Sequence, residues 1–595
     1  MTMLASIDRR FRHTLLAAAA LAGFLVPSPA AASPSTDLTA LIADHWQWWL
    51  AHNPVTATSL GDRRFDDRIG DISLARQDYD AADARAFLKR LAAIDDAGLT
   101  PAERTNKAVL AKMLDEQAQL VRHGQRMMLF TSYASWYQNF AGLADGLPFR
   151  ARADYDSYLK RLALFPAMDR EGIAITRQAV AAGYAQPCVT TAGLERSARG
   201  VIVDKPEESR FYAPFLGQRP ADMSEADWSA AKARARQLIV AVLDPEYRAL
   251  ADYFATDYVP KCRKSVGISD TPGGAAYYAW RAKVETTTDM APEAIHQLGL
   301  SEVARIRTEM DSVAKTAGFA DRARFIAALR SDPKYYAGSP QALMAAAALT
   351  AKTIDGKMPG LFGRLPRLSY GVRAIPAEIA EGTTTAYYSA GSPDSGIAGT
   401  YYVNTSKLDQ RPLWELPALT LHEAVPGHHH QIALQQELDL PDFRKHAAFF
   451  TAFTEGWALY AERLGLEIGL YDTPEKQMGR LSYEMWRACR LVVDTGIHAK
   501  GWSKAQAVTF MRDNTALTDA NIDAEVNRYI SWPGQALGYK IGEIRIRALR
   551  AKAEAALGPK FDLRRFHDAV LAQGSVPMDV LARQVDGWIA DEAKR

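Results

Sequence analysis

Nearly every stretch of this chain after residue 33 repeats its apolar residues at helical spacing, and only one stretch does not. Ala81 to Ile94, Glu103 to Val121, Glu225 to Phe254 and Pro292 to Ala317 each place apolar side chains on one stripe, with Glu, Lys and Arg between them. Pro292 opens its segment at a position where a missing N–H costs little. The spacing therefore predicts a mainly α-helical protein. The exception lies between Gly382 and Asn404, where Thr383 to Tyr388 and Gly399 to Asn404 are β-branched and aromatic around a Gly/Ser/Pro/Asp turn. This reads as a short β-hairpin. At 595 residues the chain is long for one simple domain. We read a helical part over residues 33–370 that forms one cleft wall and a second part over 371–595, the two making one continuous unit.

The first 32 residues are of another kind. Arg9, Arg10, Arg12 and His13 precede an apolar run from Leu15 to Val26, and Ala30, Ala31 and Ala32 follow. A positive flank, a short apolar segment and small residues are the parts of a secretory signal peptide. Export to the periplasm or beyond is expected, with a mature start near Ser33 and no stable membrane insertion after cleavage, because the run is too short to span a bilayer. An oxidising compartment permits a disulfide, and Cys188 with Cys262 is the expected pair since both lie in polar, loop-like sequence. Cys489 falls in a helical run and is expected as a buried thiol. The net charge of +2, from 71 basic and 69 acidic groups, offers no electrostatic case for a nucleic-acid partner.

The chemistry concentrates just after the hairpin. Leu419 to Gln431 holds four of the twelve histidines, His422, His428, His429 and His430, with Glu423 beside the first. A zinc hydrolase needs neutral imidazoles as ligands and a carboxylate to take a proton from water. The usual spacing is H-E-x-x-H on one helix face; here the next histidine stands six residues on, which an unbroken helix turns away. Pro426-Gly427 can bulge the helix so that His428 returns to the face of His422. His429 would share that face on a straight helix, but about 10 Å farther along the axis. His428 is therefore the expected ligand, with His429 assigned to substrate or to a supporting position, and the choice between them stays open.

A third ligand comes from Phe449 to Glu462. An acidic residue in so apolar a helical run is costly to bury unless paired or metal-bound. Glu455 fits a metal ligand, the alternative being an ion pair to an arginine such as Arg487. Glu462, two turns along the same face, fits a carboxylate that orients a ligating histidine. The late segment Asn527 to Gly542 supplies candidate oxyanion donors in Tyr529 and Tyr539, and Arg528 as a candidate for a substrate carboxylate.

The runs H-E-A-V-P-G-H-H at His422, T-E-G-W-A-L-Y-A-E at Thr454 and R-Y-I-S-W-P-G-Q-A-L at Arg528 resemble the bacterial family named domain of unknown function 885. So do Leu60 to Arg64 and the stretch from Thr286 to Leu300. The family looks like a relative of the gluzincin peptidases, which use two His and a downstream Glu on zinc in a mainly helical fold with a cleft. The resemblance implies one zinc per chain on His422, His428 and Glu455, with Glu423 as general base and short peptides as substrates. It also implies an edge strand before the metal helix that binds the substrate backbone, a place matched by Gly399 to Asn404 with Tyr401 and Tyr402. Two other functions fit the same residues: a zinc amidase acting on a non-peptide or cell-wall amide, and an inactive peptide-binding protein.

Overall fold

The computed structural model describes residues 33–595 apart from 133, 377–379, 381–383 and 394–395. The leader expected over 1–32 lies outside the described residues, as does part of the hairpin and its approach. Helices start where short polar side chains stand. Ser33, Ser73, Ser224, Ser503 and Thr518 each accept a backbone N–H of the following first turn, and Thr100 forms a reciprocal capping box with Glu103. The Glu225 to Phe254 run is helical but not uniform. An α-helix over Glu225–Leu238 and another over Asp244–Tyr253 are joined by a wider π turn at Ile239–Leu243. Among the described residues no helix is long and apolar enough to cross a membrane.

Six helices and three strands build the part that matters for chemistry. They are α1 (Pro292–Thr316), α2 (Leu416–Glu423), α3 (His428–Glu437), α4 (Thr451–Leu464), α5 (Pro474–Ala499) and α6 (Leu537–Leu557), with β1 (Tyr370–Ala374), β2 (Ala386–Ser389) and β3 (Gly399–Val403). Helix α5 is buried on every side from Met478 to His498. It packs along α1, where a Cβ on Gly299 would stand 2.8 Å from Leu491 and Val492. Its buried charged residues have partners, as buried charge requires. Lys540 of α6, fully buried, lies 2.9 Å from Glu484, 2.9 Å from Glu543 and 3.1 Å from Glu302. Helices α4 and α6 approach through glycines: a Cβ on Gly456 would meet Gly542 Cα at 2.5 Å, and one on Gly542 would meet Ala452 O at 1.8 Å.

One apolar core runs across residue 370, from Leu38 and Leu110 through Ile306 and Ile354 to Trp457, Val492 and Val585. A second core, rich in aromatics, is made by residues between Phe130 and Tyr258. The disulfide joins Cys188 to Cys262 at the rim of that second core, beside the Cys188 N–H to Arg263 O hydrogen bond of 2.8 Å, and Cys489 is a buried thiol.

The hairpin is present as β2 and β3, antiparallel, with Tyr387 opposite Tyr402 and Tyr388 opposite Tyr401. The sheet has a third member, β1, which pairs parallel with β3, so the order is β1-β3-β2. This corrects the expected substrate edge. Both sides of the β3 backbone are occupied, and β3 cannot accept a further strand. The Tyr401 side chain is fully buried with its hydroxyl 3.4 Å from Thr420 Oγ1, and Tyr402 stacks on Tyr387 at 4.9 Å. In the order β1-β3-β2 the two outer strands are β1 and β2, each paired only with β3 among the described residues.

Candidate metal centre

Helix α2 is buried along its whole length and stops at Glu423; α3 starts at His428. The histidine run is thus two helices separated by a break, not one bulged helix. The break follows from Pro426 and Gly427. Proline cannot donate into the helix ladder, and a Cβ on Gly427 would stand 1.9 Å from His422 O and 2.5 Å from Leu421 O. Only glycine lets the chain double back over the end of α2. Trp457 of α4 fixes the turn by donating its indole N–H to Pro426 O at 2.8 Å. Trp457 stands two residues after Glu455 in a run otherwise noted for its acids, and a large aromatic with a polar N–H in a buried helix was the available signal for that role.

Doubling back brings the expected residues together. His428 Nε2 lies 3.4 Å, and His422 Nε2 3.5 Å, from Glu455 Oε2. One ligand atom from each residue falls within 4.8 Å of the others. These separations exceed an N–H···O hydrogen bond of about 2.7–3.2 Å. They equal the ~3.3–3.5 Å edge of a tetrahedron whose bonds are the ~2.0–2.1 Å of zinc to nitrogen or oxygen. Glu455 Oε2 is buried and accepts no hydrogen bond, and His428 Nδ1 is equally buried and unpartnered. A buried carboxylate oxygen without a donor, facing two imidazole nitrogens, fits a cation between them.

The electrostatics agree. Burial works to lower the pKa of His422, but the carboxylates of Glu455 and Glu462 outweigh it and push the ring up to about 9. Burial likewise works against the Glu455 carboxylate, yet the His428 and His422 rings hold it well below its usual range. The second nitrogen of His422, Nδ1, donates to Glu462 Oε1 at 2.8 Å, which leaves Nε2 directed at the cluster. Arg487 of α5 does not pair with Glu455; it lies 3.4 Å from Glu462 Oε1, with its guanidinium stacked on Trp486 and Tyr483. Glu462→Gln should therefore weaken zinc binding by about 10–100-fold, measured by competition with a chromogenic chelator. Unchanged affinity would show that the Nδ1 contact does not tune the ligand.

Glu423 stands beside His422, outside the triad, 9% exposed and without a hydrogen bond among the described residues. Other expected site residues are placed differently. His429 is buried with both ring nitrogens engaged: Nε2 donates to Leu368 O at 3.1 Å and Nδ1 lies 3.0 Å from the Tyr388 hydroxyl. Burial holds its pKa down to about 4. It ties α3 to the sheet and has no free nitrogen for substrate. His430 is fully buried against Phe362.

Tyr529 is 1% exposed, and its hydroxyl accepts from Trp486 and Arg490 at 3.0 Å each while donating to Glu525 at 2.8 Å. With no capacity left, it cannot serve as an oxyanion donor. Arg528 bonds Gln535 at 2.5 Å and the Tyr539 hydroxyl at 3.0 Å, and Arg490 packs on the Tyr539 ring at 4.2 Å. These residues form a stack around Arg490, and none of the three makes a polar contact with the triad or Glu423 among the described residues.

The chain belongs to the family described as bacterial protein of unknown function (DUF885), which matches residues 54–585. It is similar to a crystal structure from Colwellia psychrerythraea described as a candidate lipoprotein, with 28% identity, coverage of 94% of this chain and 100% of the other, and a TM-score of 0.87. A candidate lipoprotein of unknown function from Shewanella oneidensis shares the fold at 19% identity, with 93% and 99% covered and a TM-score of 0.70. An M32 carboxypeptidase from Deinococcus radiodurans R1, 13% identical over 87% and 97%, has a TM-score of 0.29, too low to bear on fold or activity. No curated protein matches the chain.

Proposed function

We propose that the protein is an exported zinc-dependent peptidase acting on short peptides, with one zinc per chain on His422, His428 and Glu455. The observation that carries this reading is the trio of ligand atoms within 4.8 Å of one another, two imidazole nitrogens standing 3.5 and 3.4 Å from a buried, unpartnered carboxylate oxygen, with a second carboxylate, Glu423, next to His422 in sequence. Zinc in a site of two His and one Glu supplies Lewis acidity toward a carbonyl oxygen and toward water. The chain's own residues do the rest. Glu462 fixes the tautomer and orientation of His422. Glu423, free of other partners, takes the proton of the attacking water and returns it to the leaving amine. A binding protein has no use for that base, which favours an enzyme over an inactive relative. An extended substrate would lie along the open edge of β2. Export is supported by the Cys188–Cys262 disulfide and by the description of the similar Colwellia and Shewanella proteins as candidate lipoproteins.

Purified mature protein should hydrolyse short peptides, lose that activity on dialysis against a chelator, and regain it with stoichiometric zinc. Peptide hydrolysis that survives full removal of metal would refute the proposal, and efficient cleavage of folded proteins would refute the size limit.

A further inference from the structure

A cavity of about 180 Å³, many times the space a single water needs, opens at the N-terminal end of α2, where Glu415 caps the helix. Its wall combines segments far apart in sequence: Arg330, Thr385, Lys407, Arg411 and Glu415, and Tyr483 and Trp486 of α5. Three cations, Arg330, Lys407 and Arg411, face it, and none forms an ion pair among the described residues. Glu415 is the only carboxylate on the described wall. Arg411 steadies itself with Nε on Ser406 O at 3.4 Å and Nη1 on Thr385 Oγ1 at 3.2 Å, and its Nη2 makes no hydrogen bond among the described residues. Arg330 holds the opposite wall through Ala516 O and Leu517 O. Lys407 takes a left-handed φ of 50°, a strained setting for a residue with a side chain. Burial pushes the Glu415 carboxyl up to about 8 against the opposing pull of Arg330 and Arg411.

Two independent rulers relate this cavity to the triad. Glu415 precedes α2 and His422 lies seven residues on, two turns and about 10 Å along one face. Thr385 precedes β2 and Tyr388 lies three residues on, again about 10 Å of strand, with its hydroxyl against His429, the neighbour of His428. One end of β2 therefore adjoins the cationic cavity, and Tyr388 near the other end contacts α3 one residue after His428.

We infer that the cavity binds the free terminal carboxylate of a peptide lying along β2, so that the bond two or three residues from the carboxyl end reaches the triad. The inference rests on the peptidase reading for its consequence, a carboxypeptidase that releases short fragments, but not for the binding itself. Guanidinium and ammonium groups that form no ion pair among the described residues are suited to a carboxylate, and a charge-assisted pair there adds orientation as well as affinity.

The test uses zinc-loaded full mature protein carrying Glu423→Gln, which cannot turn substrate over, and fluorescence anisotropy with three N-terminally labelled probes. These are tetra-alanine as free acid, tetra-alanine amide, and a tri-alanyl-glutamate with its terminus amidated. The free acid should bind at least about tenfold tighter than either amide, as loss of a charged hydrogen bond implies. Adding Arg411→Gln or Lys407→Gln should erase most of that preference; Lys407 is exposed, so its variant keeps the test open if the Arg411 variant does not fold. Equal binding of acid and amide, no measurable binding of either, or a preference unchanged in both variants overturns the inference. Tight binding of the amidated glutamyl peptide would reassign the cavity to an acidic side chain and equally overturn it. Retained acid preference in a protein whose wild type cleaves no peptide would leave the cavity standing and count against the peptidase reading.

Discussion

Replacing Glu423 by Gln should lower peptide hydrolysis by about a thousandfold or more while zinc stays at one per chain. Glu423 adjoins His422 in sequence but contributes no atom to the triad, so its loss leaves the three proposed ligands in place. It carries no hydrogen bond among the described residues and retains 9% exposure, as a proton carrier facing water and substrate must. General acid–base groups contribute about 10²–10⁴-fold, and here one carboxylate serves both the attacking water and the leaving amine. Rate constants with saturating peptide, alongside metal analysis of the same sample, check the expectation. A variant with normal turnover would remove Glu423 from the chemistry.

Gly427→Ala should be one of the most damaging small substitutions in the chain, and one that strikes the candidate centre directly. The added methyl carbon would overlap His422 O at 1.9 Å and Leu421 O at 2.5 Å, both backbone atoms that cannot swing aside. Relief requires opening the turn between α2 and α3, and that turn is what brings His428 to His422. We expect a loss on the order of 3 kcal/mol in stability, read by denaturant unfolding, together with loss of stoichiometric zinc. A variant with wild-type stability and full metal content would show that the break does not depend on this glycine.

The sequence made some of this architecture legible and hid the rest for physical reasons. Helical periodicity is local, so Pro292–Thr316 emerges where its apolar spacing and proline start place it, and the run read from Glu103 to Val121 lies in a helix over Pro101–Leu120. The same spacing does not distinguish i→i+5 bonding, and the π turn at Ile239–Leu243 passes as ordinary helix. Strand β1 pairs in parallel with a segment 29 residues away, Tyr370 with Gly399. Such pairing leaves no short-range mark, and without it β3 reads as an edge.

At the site, Pro426-Gly427 announced an irregularity and Glu455 stood out as an acid in an apolar run, so both could be read directly. The role of Tyr529 could not. Its hydroxyl is saturated by Trp486 and Arg490 of α5 and by Glu525 one turn away, and only tertiary packing decides which groups meet it. His429 illustrates the converse: its spacing kept it as a contender, and burial against the sheet removed it.

Zinc content of purified mature protein, set beside His428→Ala and His429→Ala, tests the central claim most directly. The account predicts one zinc per chain in the wild type and in His429→Ala, and less than a tenth of that in His428→Ala. Zinc retained in His428→Ala and lost in His429→Ala, or no zinc in the wild type after loading, would contradict it.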